Sequence, residues 1–173
     1  MLSIDALNFH RRQYEQQGFT ILLNAARLDL IRKIISTVAL AHASDLIEGD
    51  ESSHSWKEIE VKPPVALTEM ITGVFIPDLI GGEPFRMAHW VNVYELGEYI
   101  GTHVDATGDA QIMIPIELPP DGDGGNLWVV TKQCILPVSV GDVLLFTAHR
   151  LRHGTTAVRS GRRVSFNARI WLR

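Results

Sequence analysis

Apolar positions change their spacing along this chain. In the first half they recur at helical intervals. Leu30, Ile31, Ile34, Ile35, Val38 and Ala41 fall three and four residues apart within 28–43 and build one apolar face. Such a face packs on a sheet. A shorter helix is expected over 5–17, starting at a plausible cap and stopping before Gly18. The run 19–23 is apolar and of strand type, and 67–76 reads as a further helix ending before Pro77. Between them, 48–64 is polar and contains Ser52-Ser53-His54-Ser55, so it reads as a loop or mobile segment.

From Arg86 onward the texture becomes β. Runs at 87–95, 99–105, 110–118, 126–131, 134–138, 143–147, 154–158 and 163–172 alternate with Gly, Pro and Asp clusters. Gly122-Asp123-Gly124-Gly125 and Ser160-Gly161 are turn punctuation. About eight short strands this closely spaced indicate a sandwich or barrel. The expected fold is mainly β (α+β): a double-stranded β-helix, or jelly roll, with N-terminal supporting helices. No repeat and no linker divides the chain. One domain is expected over 1–173, with the helices over about 5–80 and the β core over about 86–173.

Composition narrows the partners. The 173 residues are 46% hydrophobic and 21% charged, an ordinary globular mixture. Lys plus Arg is 16 and Asp plus Glu is 20, a formal charge of −4, which argues against non-specific nucleic-acid binding. The C-terminal arginines 150, 152, 159, 162, 163, 169 and 173 read mostly as solvated strand and loop residues, with Arg150 or Arg152 available to line a mouth. The single cysteine, Cys134, reads as a buried inert thiol in a reducing compartment. Neither a signal peptide nor an apolar run near the ~20 residues of a membrane span is evident. The expectation is a cytoplasmic protein with a small-molecule substrate, no nucleic-acid or membrane partner, and a homodimer allowed.

One constellation carries chemistry. Tyr99-Ile100-Gly101-Thr102-His103-Val104-Asp105 reads as a strand entering a loop. Side chains alternate along a strand, so His103 and Asp105 are expected to project the same way. A second imidazole, His153, follows 48 residues after Asp105, beyond the apolar run Val143-Leu144-Leu145-Phe146. Two imidazoles and one carboxylate on one face leave opposite coordination positions open, an arrangement suited to non-haem iron(II).

Around these residues the sequence resembles the 2-oxoglutarate- and iron(II)-dependent oxygenases, in their prolyl-hydroxylase-like branch. The resemblance covers 86–173 well and the N-terminal part loosely. It is carried by the run from Asn92 to Asp105, by Gly124-Gly125-Asn126-Leu127, by the segment from Pro137 to Phe146, and by His153-Gly154 through Arg163-Val164-Ser165. Phe19 after Gly18 is also similar to the family's entry into its first strand. The glycine after His153 favours it over His149 as the distal ligand. The resemblance implies iron(II), 2-oxoglutarate as cosubstrate, and O2. It also implies a basic residue about ten positions past the distal histidine for the cosubstrate's far carboxylate. Arg162 and Arg163 are both candidates. They face opposite ways on a strand, and Arg163 shares its face with Ser165, whose hydroxyl offers a second hydrogen bond. Arg162 is then solvent-facing. Asn92 and Tyr94 share a face of the preceding strand; Tyr94 is an expected cosubstrate contact, with a core tyrosine as its other reading, and Asn92 an expected cosubstrate or substrate contact.

The implied reaction couples decarboxylation of 2-oxoglutarate to oxidation of a C–H bond. Asp105 is present where halogenating relatives have Gly or Ala, so hydroxylation, desaturation or ring closure is expected. A compact chain suggests a small metabolite, such as an amino acid or natural-product intermediate. A peptidyl or protein hydroxylase is the alternative, as is a non-catalytic or other-metal cupin-type module. Tyr99, Trp128 and Arg86 are expected to line the substrate pocket, with 48–64 and 106–110 as lid material. His10, His42 and His54 read as surface residues, and His89 as having no role.

Overall fold

The computed structural model describes residues 3–40, 47–50 and 55–173. Helix α1 (Ile4–Gln17) is capped by Ser3, whose Oγ accepts from the Ala6 amide at 3.2 Å. It ends at Gly18, whose φ of +79° no β-carbon residue adopts readily. Strand β1 (Phe19–Leu22) and helix α2 (Leu28–Leu40) follow. The expected helix end at 41–43, with His42, lies outside the described residues.

The polar stretch expected as a loop is instead strand in part. β2 (Ile47–Asp50) and β3 (Ser55–Glu60) pair antiparallel, and β3 joins β4. Ile59 enters the core, while Trp56 and Glu58 face the other side of the sheet. That alternation is a strand pattern whose inward side is polar, which disguises it. His54 lies outside the described residues. Helix α3 (Val65–Met70) continues through Pro77 as a π-type helix over Ile71–Ile80, where a stop was expected. Burial of Ile71, Phe75, Ile76 and Leu79 holds it helical, and the Gly81 amide reaches back to the Ile76 carbonyl at 2.8 Å.

The remaining strands are β4 (Pro84–Tyr94), β5 (Ala110–Glu117), β6 (Leu127–Val129), β7 (Cys134–Ile135), β8 (Val143–Thr147), β9 (His153–Thr155) and β10 (Arg163–Leu172). They form a seven-stranded sheet ordered β1-β8-β5-β10-β4-β3-β2 and a three-stranded sheet ordered β7-β6-β9, antiparallel throughout. No strand forms over 99–105. That segment bonds along β9 irregularly: His103 and His153 exchange both backbone bonds, at 2.8 and 2.9 Å, and the Thr155 amide donates to Ile100 O at 2.9 Å.

Period-two alternation divides the large sheet into two chemistries. On one face Ile112, Ile114, Val143, Leu145, Val164, Phe166, Ala168 and Ile170 meet α2, α3 and the π-type helix in the main core. On the other face Arg163, Ser165 and Asn167 of β10 lie beside Tyr94, Asn92 and Trp90 of β4 in register. A second apolar cluster, including Met113, Leu144 and Phe146 with Leu127 and Val129, ties this face to the small sheet.

Candidate metal centre

The loop after β4 and strand β9 bring His103, Asp105 and His153 together. Each offers one ligand atom, and these lie within 4.8 Å of one another, the one such group among the described residues. His103 Nδ1 donates to Gly101 O at 2.9 Å, and His153 Nδ1 donates to Leu151 O at 2.9 Å. A carbonyl only accepts, so each Nδ1 carries the proton and each Nε2 carries the lone pair that binds a metal. The rings are 4.6 Å apart at their centroids, and Phe146 packs edge-on to His153 at 4.8 Å. Burial holds the His153 pKa below its ordinary value, keeping it neutral. Burial alone would raise the Asp105 carboxyl, but the neighbouring His103, His153 and Arg169 side chains outweigh it and hold its pKa below the ordinary value. His149 is exposed and outside the group.

These residues open into a cavity of about 220 Å³ lined from both sheets, by Trp56, Glu58, Trp90, Asn92, Tyr94, Gln111, Met113, Leu127, Thr155 and Asn167 among others. Wider grooves on the helical side, of about 500 and 680 Å³, carry no metal-ligating group among the described residues. Six buried side-chain polar atoms lack a hydrogen-bond partner among the described residues, and four belong to the cavity wall: Trp90 Nε1, Asn92 Oδ1, Asp105 Oδ2 and Asn167 Oδ1. Buried polar groups are ordinarily paired, so this concentration marks a place for a polar ligand. Donor set and surroundings both fit a divalent metal with open positions.

Arg163 sits on the same sheet face and is fully buried. Its Nη1 donates to Gly125 O at 2.6 Å and its Nη2 meets Met113 Sδ at 3.2 Å, while Nε has no partner. Among the described residues no carboxylate lies within ion-pair distance of it. Arg163 is not part of the wall of the metal cavity and borders a second hollow of about 220 Å³ beside Gly124 and Gly125. Ser165 is buried on the same face, and Arg162 is exposed and paired with Glu117 at 2.8 Å, as the alternation requires. Tyr94 is buried, accepts from Asn92 Nδ2 at 3.3 Å, and has its pKa pushed by burial up to about 12.

The three expected substrate contacts lie elsewhere. Strand β6 turns Leu127 and Val129 inward, so Trp128 falls on the opposite face. Arg86 stands at the far end of β4, exposed and 4.5 Å from the Trp171 ring centre. Without a strand at 99–105, Ile100 rather than Tyr99 lines the cavity. Missing from the expected set were Trp56, Glu58, Gln111, Asn167 and Arg169. Asn167 and Arg169 continue the alternation of Arg163 and Ser165, which would have found them. Glu58 is half-buried with its carboxyl raised by burial, against the Trp56 hydrogen bond and the Arg169 charge.

No family model and no curated protein matches this sequence. Solved structures do. A prolyl-4-hydroxylase of Pseudomonas putida superposes with TM-score 0.78 at 16% identity, over 96% of this chain and 99% of that one. An oxidoreductase of the 2OG-Fe(II) oxygenase family from Burkholderia pseudomallei gives 0.76 at 18%, over 95% and 90%. The epimerase SnoN from nogalamycin biosynthesis, solved with Fe3+ and alpha-ketoglutarate, gives 0.77 at 14%, over 98% and 84%. The chain thus has the fold of the prolyl-hydroxylase-like 2-oxoglutarate and iron(II) oxygenases.

Proposed function

We propose that this chain is an iron(II)- and 2-oxoglutarate-dependent oxygenase of one jelly-roll domain that hydroxylates, or otherwise oxidises at a C–H bond, a small metabolite. The observation that carries the reading is a group of metal ligands beside the polar face of the large sheet, together with a buried cation on that face. His103, Asp105 and His153 present a three-ligand group, and Arg163 is a fully buried guanidinium without a carboxylate partner among the described residues. A buried cation is ordinarily paired. A keto acid with a second carboxylate suits both ends.

In this reading His103, Asp105 and His153 hold the iron, and Arg163 with Ser165 takes the distal carboxylate of the cosubstrate. Tyr94 and Asn92 flank it. Bound iron(II) supplies oxygen activation coupled to decarboxylation of 2-oxoglutarate. The chain's residues orient the ligands and exclude water: His153 is kept neutral by burial, and Phe146, Met113 and Leu127 wall the site with apolar surface. The cavity of about 220 Å³ supports a small substrate, being below the ~300–1,000 Å³ of sites for drug-sized ligands. Trp56, Glu58 and Trp90 are among the residues that line it.

Anaerobic addition of iron(II) and 2-oxoglutarate should produce a weak visible charge-transfer band. Folded protein that shows no band contradicts the proposal. Asp105→Ala should abolish both the band and succinate release, and retained turnover would mean the ligand is assigned wrongly. Succinate release across small metabolites and proline-containing peptides then separates the substrate classes.

A further inference from the structure

We infer that Arg169 is a positioning residue for the metal ligand Asp105, an inference that rests on the proposed iron site. Three donors of one guanidinium meet three acceptors, one on β5 and two on the loop before it. Its Nη2 reaches Asp105 Oδ1 at 2.6 Å, its Nε reaches Gln111 Oε1 at 2.7 Å, and its Nη1 reaches Thr107 O at 3.0 Å. The side chain is largely buried, and the guanidinium lies 5.4 Å from the Trp90 ring centre. Gln111 and Arg169 are register partners on β5 and β10, so the fork is anchored to the rigid sheet. Asp105 and Thr107 are not. They belong to the irregular segment between His103 and β5.

The geometry therefore joins a rigid element to a ligand carried on a loop. Without the fork the Asp105 carboxylate would depend on the loop alone for its direction. The fit extends to the backbone at Gly108, where φ is +85° and a β-carbon would collide with Arg169 Cδ. The loop passes too close to the arginine for a side chain there. A lysine offers the charge as a point and lacks the planar fork, so it cannot reproduce three divergent contacts. Arg169 also places positive charge against the carboxylate, which lowers its donor strength toward a metal. Both effects predict more than a structural tie.

The test uses two probes on the full chain: cobalt(II) alone, read by its ligand-field absorption, and iron(II) with 2-oxoglutarate, read by the charge-transfer band. Arg169→Met should weaken cobalt(II) binding by about 10–100-fold, the effect typical of removing a partner of a metal ligand. It should also shift the band to lower energy, because the carboxylate becomes a stronger donor. Arg169→Lys should keep the band near its wild-type position while metal affinity falls. A folded Arg169→Met protein with wild-type cobalt(II) affinity and an unmoved band overturns the inference. Should Arg169→Met fail to fold, Arg169→Lys decides: weaker metal binding supports the positioning role and wild-type binding overturns it. Wild-type protein that binds cobalt(II) but gives no band with iron(II) and 2-oxoglutarate counts against the oxygenase reading and leaves the cobalt(II) comparison to judge Arg169. Wild-type protein that binds neither metal overturns both.

Discussion

Arg162 and Arg163 are adjacent in the chain and opposite in environment. One is exposed and paired with Glu117; the other is fully buried with no acidic partner among the described residues. An exposed pair contributes about 0–1 kcal/mol, so Arg162→Ala should leave both stability and cosubstrate affinity nearly unchanged. Arg163→Ala should weaken 2-oxoglutarate binding by about 2–5 kcal/mol, the usual loss on truncating one partner of a buried charged contact. Calorimetric titration of metal-loaded protein measures both, and a larger effect from Arg162 would shift the register of the proposed site by one residue. This distinction was legible in the sequence, because a strand sends neighbours to opposite faces and Ser165 marks the inward side. His153 was likewise separable from His149. Arg169 was not recognised, although it obeys the same alternation. Its partner Asp105 is 64 positions away, and no local pattern announces a contact that depends on how a loop crosses the sheet.

At the scale of elements, Gly154 explains how a loop without strand geometry still delivers His103. A β-carbon on Gly154 would lie 2.9 Å from both Ile100 O and Gly101 O, so the loop rests directly on the backbone of β9. That approach permits the paired backbone bonds between His103 and His153. Gly154→Ala pushes the loop outward. The expected loss of stability is about 1–3 kcal/mol from overpacking, a fall in melting temperature of a few degrees per kcal/mol in a domain this size. Cobalt(II) affinity should fall more sharply, about tenfold or beyond, because His103 moves with the loop. A melting shift with metal affinity intact would make Gly154 a packing residue only. The glycine after the distal histidine thus has a physical cause in this chain. β10 was readable from alternation, and β5 and β8 from their apolar runs. β3 was not, since its inward side carries Trp56 and Glu58 and its run looks simply polar. The segment 99–105 was read as a strand because its residues suit one. Gly97 before it, Gly101 within it and the single bridge at His103 show a segment that follows β9 without a regular ladder.

Across the whole molecule, one sheet separates an apolar core from a polar cavity, and partly or fully buried histidines tie stability to pH. His10, His89 and His153 all have pKa values held below the ordinary value by burial. The unfolded chain takes up protons at these groups near pH 6.5, while the folded chain resists until lower pH. Between those limits the unfolded state binds more protons, so stability rises with pH. Their contribution is fully present above about pH 6.5 and is lost as pH falls toward the folded values. Asp105, also depressed, acts in the same direction but in the carboxylate range. Glu58 opposes them: its raised pKa adds stability at low pH that is lost as pH rises through the folded value. Metal-free protein should therefore melt at progressively lower temperature from pH 7 to pH 5. His89 isolates one part of this slope. Its ring stacks on Phe166 at 6.1 Å, its Nε2 is buried without a hydrogen-bond partner among the described residues, and it lies on the core side of the sheet, away from the metal group. His89→Phe keeps the stacking and removes both the unsatisfied nitrogen and the titration. The variant should be more stable than wild type by about 1 kcal/mol or more at neutral pH, with a shallower decline toward pH 5 and unchanged cobalt(II) affinity. A variant that is less stable, or that declines as steeply as wild type, would mean that His89 is not part of the acid sensitivity.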